Sequence, residues 1–122
     1  MPRRRRYPVE YQEVVVALAA RATTGNSGSF GGWSRSGGDP QSRLSISAAS
    51  GTPNLVLTIE DSPDGTTWTV RDTYPAQTGI ATVTRALPLN MAAFQRVVWT
   101  ITGGTPSLTF SVQFASSTLT LV

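Results

Sequence analysis

From residue 43 onward, apolar and polar side chains alternate, and a period of two leaves little choice of fold. Leu44, Ile46 and Ala48 point one way, with Arg43, Ser45 and Ser47 the other. Leu55, Leu57 and Ile59 share a face, as do Trp68 and Val70, then Val97, Trp99 and Ile101, then Leu108, Phe110, Val112 and Phe114. Leu119 and Leu121 close the pattern. Successive side chains of a strand point to opposite faces, so these runs read as antiparallel strands with one wet face. The wet positions are mostly Ser and Thr, which suit strands.

The chain also repeats itself. Gly51-Thr52-Pro53-Asn54-Leu55-Val56-Leu57-Thr58-Ile59-Glu60 aligns with Gly104-Thr105-Pro106-Ser107-Leu108-Thr109-Phe110-Ser111-Val112-Gln113. Each Gly-Thr-Pro follows one alternating run and opens the next, which predicts two hairpin turns. Two like hairpins predict a two-sheet sandwich. Pro63-Asp64-Gly65 predicts a third turn, between Glu60 and Trp68. At 122 residues the chain has the length of one domain. The expectation is therefore an all-β, antiparallel β-sandwich of about seven or eight strands over residues 12–122. Leu57, Ile59, Trp99, Ile101, Phe110 and Val112 are its expected core.

Residues 12–22 carry the run Val14-Val15-Val16-Ala17-Leu18-Ala19-Ala20. Ala and Leu favour helix, but three successive β-branched residues favour a strand, and a strand is expected. The run is far short of the roughly 20 residues that span a bilayer. Residues 24–42 hold six glycines and predict a long loop with a short strand near Ser29–Ser34. Phe30 and Trp33 lie in it, and Trp33 is the best candidate for an exposed, partner-facing aromatic. Phe94 and Trp99 are expected in the core, and Trp68 in the core or at its edge. Trp33, Trp68, Trp99 and Tyr74 are also the candidates for stacking on sugar.

The formal net charge of +3 is a property of the N-terminus. All ten basic residues are arginine, and four are consecutive, Arg3, Arg4, Arg5 and Arg6. Beyond them six arginines face all seven acids, a net of −1. Residues 1–11 read as an extended basic arm. Pro2 and Pro8 oppose helix and strand pairing, and extended, the first nine residues reach about 30 Å. The run suits nucleic acid, an acidic protein surface, or a solvated tail. No aromatic interleaving or RNA-module motif favours nucleic acid. Tyr7 and Tyr11 flank the run as expected of a segment that docks on protein, so Arg3–Arg6, Tyr7, Tyr11 and Trp33 are the predicted partner-binding residues. The polar sequence after the arginines lacks a signal-peptide core, and export through the Sec route is not expected.

Cysteine and histidine are absent, and so is lysine. Thiolate nucleophiles, imidazole bases, Cys/His zinc sites, Ser–Lys dyads and P-loops all require one of them. No enzymatic activity and no cofactor are expected. Asp61 and Asp64, with Glu60 or Asp72, form the only acidic cluster. These oxygens suit either Ca²⁺ or the backbone of their own turn, and the turn reading is preferred because the spacing does not match an EF-hand loop. Nothing in the sequence places the two aspartates across a cleft, as glycosidase carboxylates require.

Three stretches taken together carry a resemblance: Ala20 to Gly28, Ala48 to Trp68 with its Glu60-Asp61-Ser62-Pro63-Asp64-Gly65 turn, and Phe94 to Val112 with Arg96-Val97-Val98-Trp99-Thr100-Ile101. Over roughly residues 8–115 the chain resembles small structural proteins from head–tail gene clusters of tailed bacteriophages. Capsid decoration (cement) proteins fit best within that class. The resemblance implies a virion component without enzymatic activity, made in the host cytoplasm. It implies a homotrimer bound to the major capsid protein on the outside of the head, with neither nucleic acid nor membrane as partner. A tail or head–tail connector component and a carbohydrate-binding module are the alternatives. The arginine run is no part of the resemblance.

Overall fold

The computed structural model describes residues 6–33, 40–88 and 90–121, with side chains over 12–33, 40–88 and 90–116. Seven strands and no helix occur among them: β1 (Arg6–Arg21), β2 (Gly25–Asn26), β3 (Phe30–Gly31), β4 (Gln41–Ser62), β5 (Thr69–Thr73), β6 (Ala81–Ala86) and β7 (Phe94–Leu121). All pair antiparallel within one hydrogen-bonded sheet, whose main path is β1-β7-β4-β5. β2 and β3 also pair with β7, and β6 with β4. The all-β expectation holds, and one continuous sheet stands where two sheets were expected.

The reason lies at the two Gly-Thr-Pro segments. They are not hairpin turns. β4 and β7 run straight through them and pair from Gln41↔Ala115 to Ser62↔Phe94. The segments face one another, with Thr52 opposite Gly104 and Pro53 opposite Gly103. Each copy of the repeat thus finds its partner strand in the other copy, not in its own neighbour. Register shifts between Ile46 and Ala48 and between Ser50 and Thr52 mark bulges here. Bulges bend strands and sharpen their twist. They also change which alternate residues are buried. In β4 the buried apolar set passes from Leu44 and Ile46 to Leu55, Leu57 and Ile59; in β7 it passes from Val97, Trp99 and Ile101 to Leu108, Phe110, Val112 and Phe114. Ala48 falls in the bend and is exposed.

The pairing has a further consequence. An antiparallel ladder has a local two-fold, and this ladder is centred on the repeat, whose copies lie 53 positions apart (Gly51 to Gly104). Leu55 and Leu108, Leu57 and Phe110, and Ile59 and Val112 are therefore equivalent, and all are buried. The flanking strands follow suit. β5 lies beside the second half of β4 and β1 beside the second half of β7; β6 lies beside the first half of β4, β2 and β3 beside the first half of β7.

Leu57, Ile59, Trp99, Ile101, Phe110 and Val112 are buried, as expected. Trp99 meets Phe110 edge to face with ring centroids 5.7 Å apart, and Arg21 lies over both rings. Tyr74, following β5, is buried and shares a hydrogen bond with the buried Ser42 of β4. Phe94 departs from expectation at 39% exposed. It sits at the start of β7, opposite Ser62 of β4 and Gly31 of β3 and beside the Gly65 turn. Trp68 is half-buried and Val70 exposed, because their shared face is an outer one.

Candidate functional site

β1 begins at Arg6, six residues before the expected start. Its residues Arg6 to Tyr11 pair with Leu121 to Ser116 of β7, so this part of the arm is extended as expected but belongs to the sheet. Pro8 is accommodated opposite Leu119 on the terminal strand of the path, where proline is tolerated because one backbone edge needs no ladder donor. Arg3, Arg4 and Arg5 lie outside the described residues. For Arg6, Tyr7 and Tyr11 only the backbone is described.

Trp33 is not a surface aromatic. It is 8% exposed, packs edge to face on Phe114 at 5.5 Å, and its Nε1 donates to Glu13 Oε1 at 2.6 Å. Phe30 meets the same ring at 5.4 Å. The glycine-rich segment folds back onto the sheet, because β3 pairs with the start of β7 and carries both aromatics over Phe114. Trp99 and Tyr74 are buried too. Of the four candidate stacking rings only Trp68 reaches the surface, and the Arg96 guanidinium lies 4.4 Å from its centroid.

What the sequence did not single out is the outer edge of β1. Val14 and Leu18 are 62% and 61% exposed on this strand, while Val16 between them is buried. A terminal strand presents backbone N–H and C=O groups to any chain that adds to it. The bulges between Val14 and Val16 and between Val16 and Ala19 interrupt that template. Apolar contact at Val14 and Leu18 and backbone pairing along residues 6–13 are therefore the two things this edge offers.

The four acidic residues of the predicted cluster are engaged within the chain. Asp61 is buried, and its Oδ2 accepts from Arg71 and from the backbone N–H of Ala92. Asp72 accepts from Arg85 through both oxygens, at 2.8 and 2.9 Å. Glu60 and Arg96 face each other across the ladder, 2.7–2.8 Å apart. Asp64 accepts from the backbone N–H groups of Thr66 and Thr67, both at 2.9 Å, as the turn reading expected. Among the described residues no group of three or more His, Cys, Asp or Glu is placed to hold a metal ion.

The Thr67 and Thr66 amides hold the Asp64 carboxyl well below its ordinary value. A carboxyl depressed in the fold adds stability that is present above its unfolded pKa, near 4, and is lost as pH falls. Asp64→Asn keeps an acceptor for the two amides but removes the titration. The variant is expected to show a shallower fall in melting temperature between pH 5 and pH 2, while matching the parent's shape above pH 5. Parallel curves would show that the turn amides do not discriminate the ionised form.

No protein-family model matches the chain, and a search of the curated proteins finds no match.

Proposed function

We propose that the chain is a non-enzymatic structural protein of a tailed-phage virion, most like a capsid decoration protein that binds the major capsid protein on the outer surface of the head as a homotrimer. One observation carries this reading furthest: a long, terminal β1 with Val14 and Leu18 outward, leading directly into Arg3–Arg6. Apolar contact, an open backbone edge and a cationic end together suit an extended acidic protein surface. The acids described above are engaged in ion pairs and turn bonds, and the candidate stacking rings Trp33, Trp99 and Tyr74 are buried. Both facts weigh against hydrolytic and sugar-binding alternatives.

We read the single sheet as folded over at the Gly-Thr-Pro bends into a sandwich, its two halves being the layers. Leu44, Leu55, Leu57, Ile59, Leu108 and Phe110 are wholly buried, and no helix among the described residues covers them. Another part of the sheet then covers that face, together with the loop residues Trp33, Tyr74, Leu87 and Met91 of the same core. The Trp99–Phe110 contact and the Ser42–Tyr74 hydrogen bond join the two halves.

The test adds purified protein to undecorated heads. Hundreds of copies per particle, in three-fold clusters, are expected; a handful at one vertex would move the protein to the tail or connector. Deleting residues 2–7 is expected to weaken attachment and flatten its salt dependence. Exposed arginine pairs contribute only about 0.2–1 kcal/mol each, but a trimer repeats them. Unchanged affinity and unchanged salt dependence would leave the β-sheet body as the sole binding surface.

A further inference from the structure

The approximate two-fold supplies an internal control. In one half of the β4–β7 ladder Arg96 faces Glu60 across the strands and pairs with it. The equivalent cross-strand pair in the other half is Arg43 opposite Gln113, since each lies 53 positions from its counterpart (43 to 96, 60 to 113). The carboxylate has become an amide. The ring that covers Arg96 is replaced as well. Trp68 stands one residue before Thr69, which pairs with Asp61; Gln12 stands one residue before Glu13, which pairs with Phe114, the equivalent of Asp61. Thus Trp68–Arg96–Glu60 in one half corresponds to Gln12–Arg43–Gln113 in the other.

The two glutamines satisfy each other, Gln113 Nε2 donating to Gln12 Oε1 at 2.9 Å. Arg21, Arg71, Arg85 and Arg96 bond to backbone carbonyls or carboxylates. Arg43 is exposed and has neither among the described residues. A small open cavity of about 60 Å³ lies beside it, lined by Gln12, Gln41, Arg43, Thr84 and Gln113. The body of the protein thus holds a guanidinium fork beside a small hollow, flanked by amide and hydroxyl donors, with glutamines where the other half has its own carboxylate and ring. Such a fork binds carboxylate bidentately.

We propose that the Arg43 hollow is a receptor site for an acidic side chain of a protein partner, a glutamate or aspartate with a flat ring beside it, which reproduces the Trp68–Glu60 arrangement in trans. The commitment to a protein carboxylate follows from that template, which is itself an aromatic residue and a glutamate. The inference goes beyond the virion reading and does not rest on it.

The test titrates full-length, ¹⁵N-labelled protein with acetyl-Trp-Glu-amide and follows the arginine Nε–H and glutamine side-chain signals. Saturable shifts at Arg43, Gln12, Gln41 and Gln113 are expected at millimolar concentration. The glutamine analogue of the peptide, acetyl-Trp-Gln-amide, is expected to bind at least tenfold more weakly. Two variants remove the site by opposite means. Arg43→Gln takes away the fork, while Gln113→Glu supplies an internal carboxylate and recreates the cross-strand ion pair. Both are expected to lose tenfold or more in affinity with undisturbed backbone spectra. Because Gln113→Glu restores a pair the fold already tolerates, it keeps the test open if Arg43→Gln misfolds. No saturable shift, equal binding of the two peptides, or binding retained in Gln113→Glu would overturn the site. Tighter binding of glucuronate than of the glutamate peptide would overturn its assignment to a protein partner.

Discussion

Gly103→Ala is expected to lower stability by about 2–5 kcal/mol, enough to threaten a domain of this size. Two costs add. Gly103 has φ 117°, a conformation that side-chain-bearing residues rarely adopt. A Cβ there would also fall onto the carbonyl oxygen of Thr52 on the facing strand. Gly51 presents the same problem from the other side: φ is 73°, and its Cβ would meet the Thr105 carbonyl oxygen. These clashes are with backbone, so no rotamer change relieves them. Gly28 is the control. Its φ is 76°, but nothing lies within 4 Å of an added Cβ, so Gly28→Ala is expected to cost only the backbone term of about 1–2 kcal/mol. Urea denaturation of the three variants checks this. Equal losses at Gly28 and Gly103 would mean that the strands separate freely at the bend.

The glycines also show where the sequence was legible and where it was not. Gly-Thr-Pro is sound turn chemistry, yet the same residues permit two strands to cross closely at a bulge. Local preference does not distinguish the two outcomes. The repeat does, because two like segments can pair with each other about their common centre, and this alternative to two separate hairpins was already present in the alignment. Alternation was informative wherever a strand stayed in register, as at Leu57, Ile59, Phe110 and Val112, all buried. It failed at Ala48, Val70 and Phe94, which lie in a bend, on an outer face or at a strand's beginning. There the period continues, but the side chains are exposed.

The candidate site was legible to a different degree. The arginine run and its tyrosines were visible as a charge block, whereas the β1 edge depends on which strands lack a neighbour, a tertiary property. Trp33 was misplaced because a glycine-rich segment reads as loop, and only pairing of β3 with β7 shows it carried onto Phe114. Arg43 was recoverable. Extending the repeat backward by eight residues from Gly51 and Gly104 aligns Arg43 with Arg96, and the aligned ends already place Glu60 against Gln113. Their opposition across one ladder could not be read until the register was known.

Phe110→Ala is expected to cost about 3–5 kcal/mol, as the loss of a fully buried phenylalanine does in a close-packed core. Phe110 has no exposed surface, lies edge to face with Trp99, and carries the Arg21 guanidinium 4.7 Å from its centroid. Truncation opens a cavity, removes the ring contact, and leaves Arg21 over Trp99 alone. The Trp99 near-ultraviolet dichroism is expected to weaken in parallel, since its asymmetric aromatic neighbour is gone. Phe110→Leu separates volume from ring chemistry: Leu57 fills the equivalent place, so leucine fits the strand, and a loss of about 1–1.5 kcal/mol is expected. Phe94→Ala, at a ring 39% exposed, is expected to cost less than half as much as Phe110→Ala. If Phe94→Ala and Phe110→Ala were equally damaging, the Trp99–Phe110 contact between the two halves of β7 would not be a principal source of stability. If only Phe110→Ala is severe and Trp99 reports it, that contact is a principal support of the core, as the proposed folding-over of the sheet requires.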